Sequence, residues 1–329
     1  MAENPKISMI MSVFNGEKYL REAMDSILNQ TFTDFEFIIV NDGSTDNSLS
    51  IIRSYSDKRI QVIDNGQNIG LTRSLNKAIK QARGEYIARQ DADDISLPDR
   101  LEEQIKYFKK NPDVALLGTS ISKIDSNGKI LGKTLAIAKP GQGLLKQNQF
   151  NHGSTMFKIG VVRELGGYNE LFKYCQDYEL WLRMAKNYAV RNLPQILYKL
   201  RFHNEAVRFR KRDEAILYNL LALRLVRDDC DAEVLKAIKN KGIKSLHSYL
   251  TKDEKVIFHK LFADLHVQQG NLKLAREEYK KGGRLGPFDI KNDIKLIRLY
   301  LGRGMIAKSY QVYEPVRNFY VGLKNWFSR

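Results

Sequence analysis

Four short apolar runs separated by one-sided amphipathic stretches fill the first ninety residues, and this alternation restricts the chain to few folds. Ile7 to Phe14 (I-S-M-I-M-S-V-F) is a nearly continuous apolar run, the pattern of a strand buried on both faces. Asn15-Gly16 ends it. Leu20, Ala23, Met24, Ile27 and Leu28 then recur at helical spacing, which gives one apolar face. Phe35 to Val40 reads as a second strand, Leu49 to Tyr55 as a helix and Ile60 to Ile63 as a third strand. Leu71, Leu75, Ala78, Ile79 and Ala82 mark another helix, and Glu85 to Arg89 a fourth strand. Such alternation predicts a parallel α/β sheet. Ligands of these sheets gather beyond the carboxyl ends of the strands.

Three of the strand ends are polar: Phe14-Asn15, Asp42-Gly43 and the run Asp91-Ala92-Asp93-Asp94. The last belongs to A-R-Q-D-A-D-D-I-S-L-P-D-R-L, Ala88 to Leu101, which holds four carboxylates counting Asp99. Crowded carboxylates repel unless a cation or a hydrogen-bond network neutralises them. Mg²⁺ and Mn²⁺ prefer carboxylate and water oxygens and often hold a substrate's phosphates as well. Asp91-Ala92-Asp93 is therefore a candidate metal–diphosphate site. The plainer alternative is a solvated acidic loop that leads into a helix starting near Pro98.

Beyond a helix over Leu101 to Phe108 the alternation lapses. Val114 to Ile124 and Lys129 to Leu135 flank the turn signal Ser126-Asn127-Gly128, so a hairpin is predicted. Residues 140–150 read as a short helix, Ser154 to Phe157 as a strand, Asp177 to Lys186 as a helix and Ala189 to Arg201 as extended chain. From about Arg212 the sequence becomes helical and basic. Residues 1–100 carry 12 Lys and Arg against 15 Asp and Glu, whereas residues 201–329 carry 27 against 15. The net charge of +16 thus lies away from the acidic cluster and suggests an anionic partner. No apolar run is long enough to span a bilayer, and the N-terminus lacks the pattern of a cleaved signal peptide. Cys175 and Cys230 lack metal-ligand spacing and read as thiols in a reducing compartment. Leu265, Gly270, Ala275, Tyr279 and Pro287 suggest one helix–turn–helix unit. An aromatic stripe from Val312 to Phe327, bordered by Lys and Arg, fits either packing against protein or a membrane interface.

Taken in order, these motifs resemble family 2 glycosyltransferases of the bacterial surface-polysaccharide type. The resemblance rests on Ser12-Val13-Phe14-Asn15, Val40-Asn41-Asp42-Gly43-Ser44-Thr45-Asp46, Asn68-Ile69-Gly70-Leu71 and Ala78 before Gly84-Glu85-Tyr86-Ile87-Ala88, Asp91-Ala92-Asp93-Asp94 with Pro98 and Arg100-Leu101, and Gln176-Asp177-Tyr178-Glu179-Leu180-Trp181-Leu182-Arg183. It covers residues 5 to about 205. It implies an α/β GT-A nucleotide-sugar-binding sandwich over residues 1–211, its mostly parallel sheet flanked by helices, with a basic α-helical extension over 212–329.

The resemblance also implies roles. Val13, Asn15 and Glu17 would line the nucleotide pocket, and Asp42 would accept a hydrogen bond from uracil; a helix-capping turn is the alternative for Asp42. Arg73 would face the diphosphate or stand as a surface charge. Asp91 would contact ribose or the metal shell, and Asp93 would ligate Mn²⁺ or Mg²⁺. His203 matches a position that completes the metal shell or meets the diphosphate, although lone histidines are more often structural. His152, Gly153 and Ser154 fall where donor sugar or acceptor is contacted. Asp177 would be the general base, because direct displacement at an anomeric carbon needs a carboxylate to take the acceptor proton; a capping Asp at a helix start is the alternative. Gln176 departs from the usual Glu-Asp pair, so the charge preceding the base is lost.

The implied activity is inverting, metal-dependent transfer from a nucleotide-sugar, a UDP-sugar foremost, to a glycan or lipid-linked saccharide. The expected location is the cytoplasm or the inner face of the plasma membrane, with an anionic membrane surface as a candidate partner. Two rivals are a nucleic-acid-binding or scaffold protein built on the basic third, and a nucleotidyltransferase. No dedicated nucleic-acid motif supports the first, so no nucleic-acid partner is expected. Ser12 to Gly16 lacks the glycine- and lysine-rich triphosphate loop of the second.

Overall fold

The computed structural model describes residues 4–145, 147–203, 212–268 and 270–285. They fall into two compact units, Met1–Lys211 with Leu221–Cys230, and Arg212–Leu220 with Asp231–Arg329. The aromatic stripe from Val312 to Phe327 lies outside the described residues, as does Pro287.

The first unit begins with the expected alternation: β1 (Ile7–Val13), α1 (Glu17–Leu28), β2 (Phe35–Asn41), α2 (Ser48–Arg53), β3 (Ile60–Asp64), α3 (Leu71–Gln81) and β4 (Tyr86–Asp91). β5 (Ile95–Ser96), α4 (Arg100–Lys110), β6 (Val114–Ile124), β7 (Ile130–Thr134), β8 (Met156–Lys158), α5 (Ile159–Glu164), α6 (Gln176–Asn187) and β9 (Ala189–Arg201) follow. The sheet order is β3-β2-β1-β4-β8-β6-β9-β5, with β7 also paired to β6. β3, β2, β1 and β4 are mutually parallel, and the antiparallel β8 follows β4. Met9, Met11, Phe37 and Ile39 share one core with Leu20, Met24 and Ile27 of α1 and with Leu101, Ile105 and Phe108 of α4. Ile10, Ile38 and Val40, equally buried, alternate to the opposite face. Burial on both faces explains why β1 and β2 read as apolar runs.

Several sequence boundaries shift. The helix expected over 140–150 is only a 3₁₀ stretch, Gly141–Leu145, because Gly141 and Gly143 interrupt a longer coil. The strand expected at Ser154 starts at Met156, and His152–Ser154 forms a 3₁₀ turn before it. β5 and α5 are too short to show a period in sequence.

Four helices carry most of the second unit's described residues: part of α7 (Arg212–Val226), α8 (Ala232–Lys241), α9 (Lys252–Gln268) and α10 (Leu272–Leu285). α9 and α10 form the single helical pair suggested by Leu265, Gly270, Ala275 and Tyr279. Ala263, Ala275 and Tyr279 are its buried seam, and Gly270 makes the turn at φ 78°. No helix among the described residues is long and apolar enough to cross a membrane.

Candidate active site

Strand register brings the polar ends together. Val13 pairs with Asn41, and Ser12 pairs with Asp91, so the residues following β1, β2 and β4 emerge along one edge. Asn15 takes a left-handed backbone, φ 52°, a conformation Asn tolerates better than most residues. Its Oδ1 accepts from Thr45 N–H at 2.8 Å, and its own N–H donates to Ser44 Oγ at 3.1 Å. Glu17 Oε2 accepts from the backbone N–H and the side-chain amide of Asn47, at 2.9 and 2.7 Å. Asn15 and Glu17 therefore fasten the loop after β1 to the loop after β2. Gly43 is required beside them. Its φ is 70°, and a Cβ there would lie 2.3 Å from the Gln67 carbonyl carbon.

Asp42 is buried at the end of β2. Oδ1 accepts from Ile69 N–H and Asn65 Nδ2, both at 2.9 Å, and Oδ2 accepts from Gly70 N–H at 3.0 Å. A carboxylate offers about four acceptor directions, and three of them are taken by these donors. Asp42 also joins β2 to the Asn68-Ile69-Gly70 loop, a tie between two motifs that were recognised separately. Arg73, one helical turn further on, pairs with Glu170 at 3.1 Å on the surface.

The acidic cluster answers its own repulsion with buried arginines. Arg89 Nη2 donates to Asp91 Oδ1 at 2.7 Å from a fully buried side chain. Arg100, also fully buried, donates to Ser96 Oγ, Arg89 O and Thr155 O. Burial lowers its pKa to about 10, so it stays charged near neutrality. Arg201 N–H donates to Asp94 Oδ1 at 2.6 Å, while its Nε donates to Asp93 O at 2.9 Å. Its guanidinium also meets Glu22 and stacks on Tyr19, 4.5 Å from the ring centre.

Asp93 and His203 come together from 110 residues apart, Oδ2 to Nε2 at 2.7 Å. No group of three His, Cys, Asp or Glu side chains among the described residues is arranged to hold a metal. Adjacent ligands of an octahedral Mg²⁺ or Mn²⁺ stand about 3 Å apart. Asp93 and His203 thus fit as two corners of such a shell, and oxygens from a diphosphate suit the rest. Tyr19 lies beside His203, with ring centres 5.1 Å apart, and its buried hydroxyl has no hydrogen-bond partner among the described residues.

Asp177 lies in the first turn of α6, after Cys175 at φ 59°. Asn148 Nδ2 donates to its Oδ2 at 2.9 Å. Burial pushes the carboxyl above the ordinary range, and the charge of Asp91 adds to that effect. Hydrogen bonds from Tyr178 N–H and Asn148 oppose it without cancelling it. His152 shares this neighbourhood. Its Nε2 is 2.8 Å from Tyr168 Oη, and burial with the Arg89 charge lowers its pKa to about 3. The ring is therefore neutral at any working pH. Gly153 is pressed against the cluster: a Cβ there would lie 2.0 Å from Tyr198 Oη and 2.7 Å from Asp91 Oδ2. Ser154 is buried, with Oγ donating to Asn151 O, and so braces this turn.

The glycosyl transferase family 2 model matches residues 8–163. EpsE, named as a glycosyltransferase of Bacillus subtilis (strain 168), is 33% identical over 281 residues, covering 77% of this chain and all of EpsE. The chain belongs to glycosyltransferase family 2. This family 2 glycosyltransferase is also 37% identical over 211 residues to the O-antigen biosynthesis glycosyltransferase WbnJ of Escherichia coli, covering 61% of this chain and 81% of WbnJ. Its fold is GT-A. S. aureus TarS 1–349 in complex with UDP superposes with a TM-score of 0.57 at 18% identity, covering 90% of this chain and 89% of that one. Mannosyltransferase PcManGT from Pyrobaculum calidifontis, in complex with GDP-Man and Mn²⁺, superposes with a TM-score of 0.57 at 16% identity, covering 97% and 84%.

Among the residues of this candidate site that escaped sequence reasoning are Arg89, Asn148, Tyr168 and Tyr198. Arg89 alone carried a signal, as a charged residue inside an apolar strand. The other three reach the site through tertiary contacts with no local pattern.

Proposed function

We propose that this glycosyltransferase is an inverting, divalent-metal-dependent enzyme. It moves a sugar from a nucleotide-sugar, a UDP-sugar foremost, to a glycan or lipid-linked saccharide in cell-surface polysaccharide synthesis, at the inner face of the plasma membrane. The observation that carries this reading is the register that brings the strand ends at Asn41-Asp42 and Asp91 to one edge, together with a buried Asp177 carboxyl whose pKa the charge of Asp91 helps to raise. In this reading Asp177 is the proton acceptor and the strand-end edge is the diphosphate-binding side. The UDP of the TarS complex, the Mn²⁺ of the PcManGT complex and the O-antigen role in WbnJ's name support the donor, metal and pathway class.

In this reading Asp177 accepts the acceptor hydroxyl's proton as that oxygen bonds to the anomeric carbon. The bond from that carbon to the diphosphate oxygen breaks, and its electron pair leaves on the nucleoside diphosphate. Its raised pKa makes Asp177 a stronger base than an exposed carboxylate. Asp42 and the pinned loops after β1 and β2 hold the nucleotide. Asp93 and His203 would hold a Mn²⁺ or Mg²⁺ ion, whose positive charge stabilises the leaving diphosphate. Donor turnover and sugar transfer with Mn²⁺ test the assignment in wild type, Asp93→Ala and Asp177→Asn. Loss of transfer in both variants is expected; wild-type transfer in both would sink it.

A further inference from the structure

Five large hydrophobic side chains with high exposure fall within one short segment of the first unit: Ile130 at 59%, Leu131 at 58%, Leu135 at 72%, Ile137 at 55% and Leu145 at 39%. Ile130 and Leu131 are neighbours on β7 and point to opposite faces, yet both are more than half bare. Among the described residues, neither face of this strand is more than partly covered. Lys129, Lys133 and Lys139 are exposed among these residues, and Asp125 is the single acid between residues 123 and 145. Its Oδ1 accepts from Asn127 and Lys129 N–H within the turn.

The backbone beneath is held firmly. Ala136 N–H donates to Ser120 Oγ at 2.9 Å, and Asn192 donates from Nδ2 to Ile137 O and from N–H to Ala138 O. The turn is also wired to the active site. Arg201 Nη1 donates to Asp125 O and Ser126 O at 3.3 and 3.4 Å, and its Nε donates to Asp93 O.

We infer that this hairpin docks the enzyme on an anionic lipid bilayer. Its aliphatic side chains would enter the interface and its lysines would meet the headgroups, an arrangement in which apolar burial and charge attraction add. A second copy of the chain is the poorer occupant. It would set the same lysines against one another on a chain of net charge +16, and Gly132 with Lys133 blunts the strand edge. The inference deepens the proposed lipid-linked acceptor, and for that purpose it rests on the proposed function: Arg201 ties the docked turn to the loop that carries Asp93, on the metal side of the site.

The test uses the full chain with phosphatidylcholine vesicles, with and without phosphatidylglycerol. Ile130→Ser/Leu131→Ser/Leu135→Ser and Lys129→Glu/Lys133→Glu/Lys139→Glu are each expected to weaken sedimentation with phosphatidylglycerol vesicles by about tenfold or more. The emission added by Leu131→Trp is expected to shift to the blue on those vesicles and to stay put on phosphatidylcholine alone. Donor hydrolysis in vesicle-free solution should match wild type in all three. Unmoved Leu131→Trp emission, wild-type sedimentation of the triple variants, or wild-type dimers that the serine variant abolishes would each overturn the docking. Vesicle binding without any donor turnover by wild type would uphold it while removing the proposed function.

Discussion

Arg89 donates from Nη2 to Asp91 Oδ1 at 2.7 Å, and the guanidinium is sealed from solvent while the carboxylate keeps an open side. Its Nη1 meets the Gln90 and Ile10 carbonyls, so the fork is committed to one orientation. Arg89→Met is expected to lower unfolding free energy by about 2–4 kcal/mol, because the buried carbonyls and Asp91 lose their donor. Arg89→Lys keeps the charge but loses the fork, and it should recover only part of that stability. Urea denaturation of the three proteins measures the order.

Asp177→Asn should reduce kcat by about 10²–10⁴, the usual worth of a positioned base. The same change should stabilise the fold near neutral pH. The folded-state pKa of Asp177 lies above its unfolded value, so the folded state holds the proton more tightly. That contribution to stability is present below the unfolded pKa and is lost as pH rises through the folded pKa. Asn cannot ionise and escapes the loss. A thermal midpoint above wild type at pH 7, converging in acid, is the expected result.

The acid limb of the pH–rate profile should report Asp177 and lie above the range of an ordinary carboxylate. His152, with a pKa of about 3, stays neutral across that limb. His152→Gln should therefore lower activity without moving the limb. In stability the histidine acts in the opposite direction to Asp177. Its lowered folded pKa costs stability as pH falls below about 6.5, where the unfolded ring takes up a proton.

Asp93→Ala and His203→Ala should each weaken Mn²⁺ binding in the presence of a nucleoside diphosphate by about 10–100-fold. Titration with the diphosphate present and absent separates a shared shell from a purely protein one. Since two side chains make a weak site by themselves, little binding is expected without the diphosphate. Chelation should abolish transfer while leaving the thermal midpoint nearly unchanged.

Gly153→Ala places a methyl 2.0 Å from Tyr198 Oη and 2.7 Å from Asp91 Oδ2. The turn or Asp91 must move. Activity should fall about tenfold or more with a modest loss of stability, in keeping with the sensitivity of reacting groups to small displacements. Transfer assays beside calorimetry separate the two effects.

The parallel half of the sheet was legible because each strand is buried on both faces and each helix on one, so pattern and burial coincide. The site was legible where a strand end delivered its residue directly, as at Asn15, Asp42 and Asp91. His203 and Asp93 were each readable as motif residues, but their contact depends on β9 crossing back to pair with β5 and β6. Tyr168, Tyr198 and Asn148 were invisible for the same reason: only the folded chain sets them beside Asp91, His152 and Asp177. The crowding of Asp91, Asp93 and Asp94 posed a problem of charge. Its answer, in Arg89, Arg100 and Arg201, required knowing which arginines point inward.

The pairing of β4 with β8 joins Ile87 to Phe157, and Asp91 meets Tyr198 from still farther along the chain. Closing such long loops is entropically slow compared with forming the neighbouring βαβ units. The edge at Asp42, the proposed nucleotide side, draws its hydrogen bonds from the first quarter of the chain, whereas the setting of Asp91 waits for β8 and β9. During refolding, nucleotide affinity should therefore appear before catalysis. Recovery of turnover then becomes a clock for the last long-range strand pairings rather than for the appearance of the sheet itself.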